Sequence, residues 1–169
     1  SRCTDLWARH HPPRQPPDMA TYVLVHGGWH GGWCWDQVAA RLHAQGHEVH
    51  TPTLTGLAER AHLIDAVDGP DTHVADIVTL LDFHDLNDVI LVGHSYGGMM
   101  ITGVATVRPE RIADLVYLDA FVPTKPRQPA TAISNPERAA QIAELRKKAG
   151  GHLPPFGFER FTSDPEKQA

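Results

Sequence analysis

At 169 residues the chain is long enough for one domain with a proper core, and its hydrophobic (41%) and charged (21%) fractions are ordinary for a globular protein. A formal net charge of −5 with no basic cluster argues against a general nucleic-acid surface, and no apolar run approaches the ~20 residues of a membrane span. Two cysteines, Cys3 and Cys34, are too few for a disulfide framework and suit a reducing compartment; with no apolar leader, the cytoplasm is the default expectation.

Residues 1–18 carry Pro12, Pro13, Pro16 and Pro17 among His and Arg with no apolar period, and read as a disordered extension. His10-His11 in such a tail reads as solvated. Met19 directly precedes the first strand, so translation is expected to begin there. Thr21–Val25 is composed of strand-favouring residues. His26-Gly27-Gly28-Trp29-His30-Gly31-Gly32-Trp33 follows, a loop with four glycines, which implies a close backbone approach. Trp35, Val38, Ala39 and Leu42 recur at the spacing of one helix face closed by Gly46. His47–Thr51 is the next strand, ended by Pro52. Residues 54–70 form a polar connection with a turn at Gly69-Pro70. Val74, Ile77, Val78 and Leu81 predict a second helix opened by Asp71-Thr72 as caps.

Val89-Ile90-Leu91-Val92 predicts a short buried strand, and Gly93-His94-Ser95-Tyr96-Gly97 follows at once, then the helix-compatible run Met99–Ala105. A G-x-S-x-G between strand and helix is a nucleophile elbow, a tight turn that lifts the serine hydroxyl above the sheet. Gly93 and Gly97 remove the Cβ atoms that would collide in it. Ile112–Leu118 is a fourth strand, ending at Asp119. Pro123, Pro126 and Pro129 then break the pattern before a helix over Pro136–Lys148. The alternation predicts an α/β protein: a mainly parallel sheet with helices on both faces. Ligands in such sheets sit beyond the carboxyl ends of the strands where the winding reverses. If the strands ending at Val25 and Val92 are neighbours, the Gly27-Gly28 loop and Ser95 meet there.

Met19 to about Thr124 resembles the α/β-hydrolase superfamily. The branch it resembles holds the esterases related to hydroxynitrile lyases, with plant methylesterases and pyrethroid-hydrolase-like bacterial esterases. The resemblance rests on Val23–Trp35 and Leu91–Gly98, with Leu115–Ala120 as a weaker third match. Residues 19–124 then correspond to the N-terminal part of the hydrolase core, and 125–169 to part of a helical cap. The resemblance implies that Ser95 attacks an ester carbonyl of a small-molecule substrate, forming an acyl-serine with no metal or organic cofactor. It implies an oxyanion hole from the backbone N–H groups of Gly28 and Tyr96, with His26, Gly27, Gly93 and Gly97 supporting the loops. Lyases of this branch carry threonine where Gly27 stands, which tips the reading towards ester hydrolysis. Ser95 also excludes the members that use an aspartate nucleophile.

The serine requires a base and an orienting acid. The resemblance implies two further strands carrying them, which this sequence does not show, so it reads as C-terminally truncated and impaired. Asp119 is the candidate acid, with simple turn capping as its alternative. His94 is expected to point away from the Ser95 hydroxyl, His26 to hydrogen-bond around the oxyanion loop, and His152 to lie on the cap surface. His26 and His30 lack a third ligand, so no metal site is expected, and no phosphate-binding loop is present. An unpaired Ile112–Leu118 edge is expected to pair with another chain, to be covered by the C-terminal segment, or to aggregate, so self-association through it is one expectation. The competing readings are a catalytically silent binding protein and a hydroxynitrile-lyase-like lyase.

Overall fold

A computed structural model describes residues 19–125 and 136–148. The expectations that fall on residues 1–18, Pro126, Pro129 and His152 lie outside them. Among the described residues four strands, β1 (Thr21–Val25), β2 (Glu48–His50), β3 (Val89–His94) and β4 (Ile112–Leu118), form one sheet in the order β2-β1-β3-β4. Every pairing is parallel, and the β1–β3 register aligns Val25 with Gly93. The chain therefore leaves β1 in one direction to reach β2 and returns across it to reach β3. The winding reverses between β1 and β3, which meets the condition under which the Gly27-Gly28 loop and Ser95 come together.

Among the described residues there are four α-helices: α1 (Asp36–Ala44), α2 (Pro70–Phe83), α3 (Gly97–Val107) and α4 (Pro136–Lys148). Parallel crossovers are right-handed, so the reversal puts α1 on one face and α2 and α3 on the other. Consistently, α2 packs on α3, and α3 on β1, β3 and β4. Strand alternation divides the apolar residues between the two faces. Val23, Val25, Val89 and Leu91 join Ile77 and Leu81 of α2 and Met100, Ile101 and Val104 of α3 in one buried cluster. Leu24, also buried, points the other way.

Four local expectations are corrected. Trp35 is buried, but in a 3-10 turn over Gly32–Trp35 that precedes α1, and Val38 is exposed. A 3-10 turn bends the chain, so the 3.6-residue period does not carry from Trp35 into the helix. Residues 58–66 of the polar connection form 3-10 turns. Helix α2 begins at Pro70, with Gly69 before it at φ 148°, rather than being capped by Asp71 or Thr72. Proline suits the first helical position because it has no N–H to leave unpaired. Thr72 instead accepts a hydrogen bond from the Asp68 N–H at 3.2 Å. The 47–51 strand shortens to Glu48–His50, which among the described residues pairs only with β1.

Candidate active site

Ser95 stands between β3 and α3 with φ 51°, the left-handed backbone expected of a strained elbow. The turn closes because its glycines lack side chains. A Cβ on Gly97 would lie 2.6 Å from the Val25 carbonyl oxygen, and one on Gly93 2.6 Å from the Gly97 oxygen. Helix α3 thus starts directly against the end of β1. The same economy operates at Gly98, where a Cβ would come within 2.6 Å of the Phe121 carbonyl oxygen. That close approach lets the Phe121 N–H reach the Ser95 carbonyl at 3.0 Å, beside the Gly98 N–H at 3.1 Å. A trans peptide is planar, so fixing the Ser95 C=O fixes the Tyr96 N–H in the opposite direction.

The loop after β1 is held by the same logic. His26 is fully buried; its Nδ1 donates to the Gly27 carbonyl at 2.7 Å and its Nε2 accepts from the Leu54 N–H at 3.0 Å. Burial pushes its pKa down to about 4, so the ring is neutral and the hydrogen sits on Nδ1. Holding the Gly27 C=O aims the Gly28 N–H, its partner in the same peptide plane. His30 Nδ1 donates to the Gly28 carbonyl at 2.8 Å, and Trp29 between them takes φ 60°. The expected packing and hydrogen-bonding of His26 is what the geometry gives.

The two segments meet. A Cβ on Gly27 would lie 3.1 Å from the Ser95 Cβ and 3.1 Å from His94 Nδ1. One on Gly28 would meet nothing within 4 Å, so open space lies beside the loop at that residue. His94 is half-buried, its ring edge-on to His30 and Trp35. Burial lowers its pKa first, the neighbouring His30 charge lowers it further, and Asp119 acts against both. Asp119 ends up exposed just past β4 with φ 42°, a conformation that aspartate tolerates better than most residues. It is thus brought into electrostatic reach of His94.

The sequence did not single out three contributors to this arrangement: Phe121, Leu54 and His73. His73 Nδ1 lies 2.9 Å from the Tyr96 hydroxyl. Their contacts span 18 to 28 residues of sequence, and no local pattern announces them. Among the described residues no group of three or more His, Cys, Asp or Glu is placed to hold a metal, and no helix is long and apolar enough to cross a membrane.

A strained serine at a strand–helix elbow, facing a glycine-rich loop across the reversal point of a parallel sheet, defines the α/β-hydrolase class. The chain belongs to the alpha/beta hydrolase family, whose family model matches residues 22–168. It is 56% identical over 105 residues to a carbendazim hydrolyzing esterase from Nocardioides, covering 62% of this chain and 43% of that one. It is 31% identical over 167 residues to methylesterase 10 of Arabidopsis thaliana, covering 95% of this chain and 60% of the relative. Among solved structures, an extracellular α/β-hydrolase from a Paenibacillus species superposes with a TM-score of 0.70 at 31% identity, over 83% of this chain and 57% of that one. The chain thus spans about half the length of the proteins it matches.

Proposed function

We propose that this chain carries the nucleophile and oxyanion hole of a serine esterase acting on small-molecule carboxylic esters. The single observation behind this reading is the meeting of Ser95 with the Gly27-Gly28 loop, each held by a hydrogen-bonded carbonyl. The names of the relatives, esterase and methylesterase, support the same chemistry.

In this mechanism the Ser95 hydroxyl attacks the ester carbonyl carbon. Negative charge develops on the carbonyl oxygen, and the N–H groups of Gly28 and Tyr96, aimed before the substrate arrives, stabilise it. Because neither donor must reorient, the interaction strengthens only as the charge forms. Collapse of the tetrahedral intermediate expels the alcohol and leaves an acyl-Ser95, which water then hydrolyses.

Proton transfer needs a base. His26 and His73 are excluded, since both ring nitrogens of each are engaged in hydrogen bonds within the protein. His94 is turned onto His30 and Trp35. The charge of Asp119, the candidate acid, raises the His94 pKa against the larger lowering by burial. The oxyanion donors stabilise the developing charge whichever group takes the serine proton. Lyase chemistry is disfavoured by Gly27, for the reason the resemblance gave.

The test is hydrolysis of p-nitrophenyl acetate by the chain and by Ser95→Ala. The expected result is a rate above background that the substitution removes. Equal rates for the two proteins sink the reading.

A further inference from the structure

Resting on the oxyanion reading above, we propose that His73 is a positioning residue for the Tyr96 backbone N–H, sharing one main-chain brace, Leu54-Thr55, with His26. His73 lies on α2 and is buried. Its Nε2 is 2.8 Å from the Thr55 carbonyl oxygen, which can only accept, so Nε2 carries the hydrogen. In the neutral ring Nδ1 is then an acceptor, and the Tyr96 hydroxyl, 2.9 Å away, donates to it. The two rings meet edge-on, with centroids 5.7 Å apart.

The brace is itself anchored. The Thr55 N–H and hydroxyl both donate to the Asp76 carboxylate, each at 2.7 Å, and Asp76 lies on α2 one turn beyond His73. Arg60 reaches the Asp76 carboxylate at 3.7 Å and donates to the Thr53 carbonyl at 2.7 Å. One residue before Thr55, the Leu54 N–H holds His26, which in turn holds the Gly27 carbonyl. Two buried imidazoles therefore run from adjacent residues of one segment to the two residues flanking the oxyanion position. His26 acts on the Gly28 peptide, and His73 acts on the side chain of the residue bearing the other donor.

The division of labour has a mechanical reason. The hydrogen bonds on the Ser95 carbonyl set the direction of the Tyr96 N–H but leave the peptide able to rock about the flanking Cα atoms. Tethering the far end of the Tyr96 ring removes that freedom. A buried polar chain of this kind costs desolvation that an apolar contact would avoid. If its purpose were only to join α2 to the sheet, the apolar α2–α3 cluster already does so.

The test uses the full chain and a fluorophosphonate probe. Ser95 Oγ forms a bond to phosphorus, fluoride leaves, the serine proton passes to solvent, and the phosphonyl oxygen takes the oxyanion position. Intact mass followed over time gives the maximal labelling rate and the half-saturating concentration. Tyr96→Phe and His73→Ala should each lower the maximal rate about tenfold, less than deleting a donor outright, with half-saturation little changed. The double variant should be no slower than the slower single one, because the two groups act in series. Nitrogen-15 NMR of histidine in the wild type supplies a readout that needs no substitution. It should show His73 protonated at Nε2 and accepting at Nδ1, with Tyr96→Phe shifting the Nδ1 signal. Wild-type labelling rates in Tyr96→Phe, or the opposite tautomer, overturn the positioning role alone. A wild type that is not labelled at Ser95 overturns the esterase reading and this role with it.

Discussion

Ser95 is held in a backbone conformation that costs an ordinary residue roughly 1–2 kcal/mol, and the surrounding contacts impose it. Glycine at this position relieves the strain at some loss of chain entropy, while alanine keeps it. Ser95→Gly should therefore be more stable than Ser95→Ala by about 0.5–1 kcal/mol in urea unfolding, although both lack the nucleophile. Two glycines of the facing loop separate packing from access. At Gly27 a methyl group presses on Ser95 and His94, whereas at Gly28 it enters open space. Gly27→Ala should lower kcat of the proposed esterase about tenfold through misplacement of Ser95. Gly28→Ala should leave the melting temperature unchanged and raise KM instead. Identical kinetic effects for the two would remove the distinction drawn between the positions.

At the scale of elements, the important contact is between the start of α3 and the end of β1, where glycines bring two backbones together. The other consequence lies at β4. Among the described residues β4 pairs only with β3, and Val116 and Leu118 on it are 41% and 49% exposed. An edge with unpaired N–H and C=O groups and apolar side chains invites another strand. We expect concentration-dependent self-association through this edge, weakened by Val116→Lys, which places a charge there. Light scattering after gel filtration measures it, and a monomer mass constant over the concentration series counts against it.

For the molecule as a whole, His26 couples folding to pH. Its folded pKa of about 4 lies below the ordinary 6.5, so between these values the unfolded chain binds a proton that the folded chain refuses. The stabilising effect is complete above about pH 6.5 and is lost as pH falls towards 4, on the order of 3 kcal/mol in all. His94 is shifted in the same direction, also chiefly by burial. Urea unfolding should show stability falling steeply between pH 6.5 and 4 in the wild type, and less steeply in His26→Gln, which has no proton to gain. Equal slopes would mean that His26 is not buried as a neutral ring.

The sequence alone determined the strands, the elbow, the glycine-rich loop and the parallel character of the sheet, because each is written in local patterns along the chain, whereas the neighbouring of β1 and β3 is tertiary. Val89–Val92 followed by Gly93–Gly97 specifies strand, turn and helix through local sterics, and β-branched runs alternating with helical periods specify the sheet. The start of α2 was misread for a local reason: Pro70 at the first helical position outranks Asp71-Thr72 as a boundary. The tertiary structure decided what holds the site in place. That Phe121 pins the Ser95 carbonyl, that Leu54 pins His26, and that His73 reaches Tyr96 depend on chain segments 18 to 28 residues apart meeting at the ends of strands. Directional hydrogen bonds between such segments leave no periodicity in the sequence, since a buried polar group is satisfied by whatever partner the packed fold presents to it.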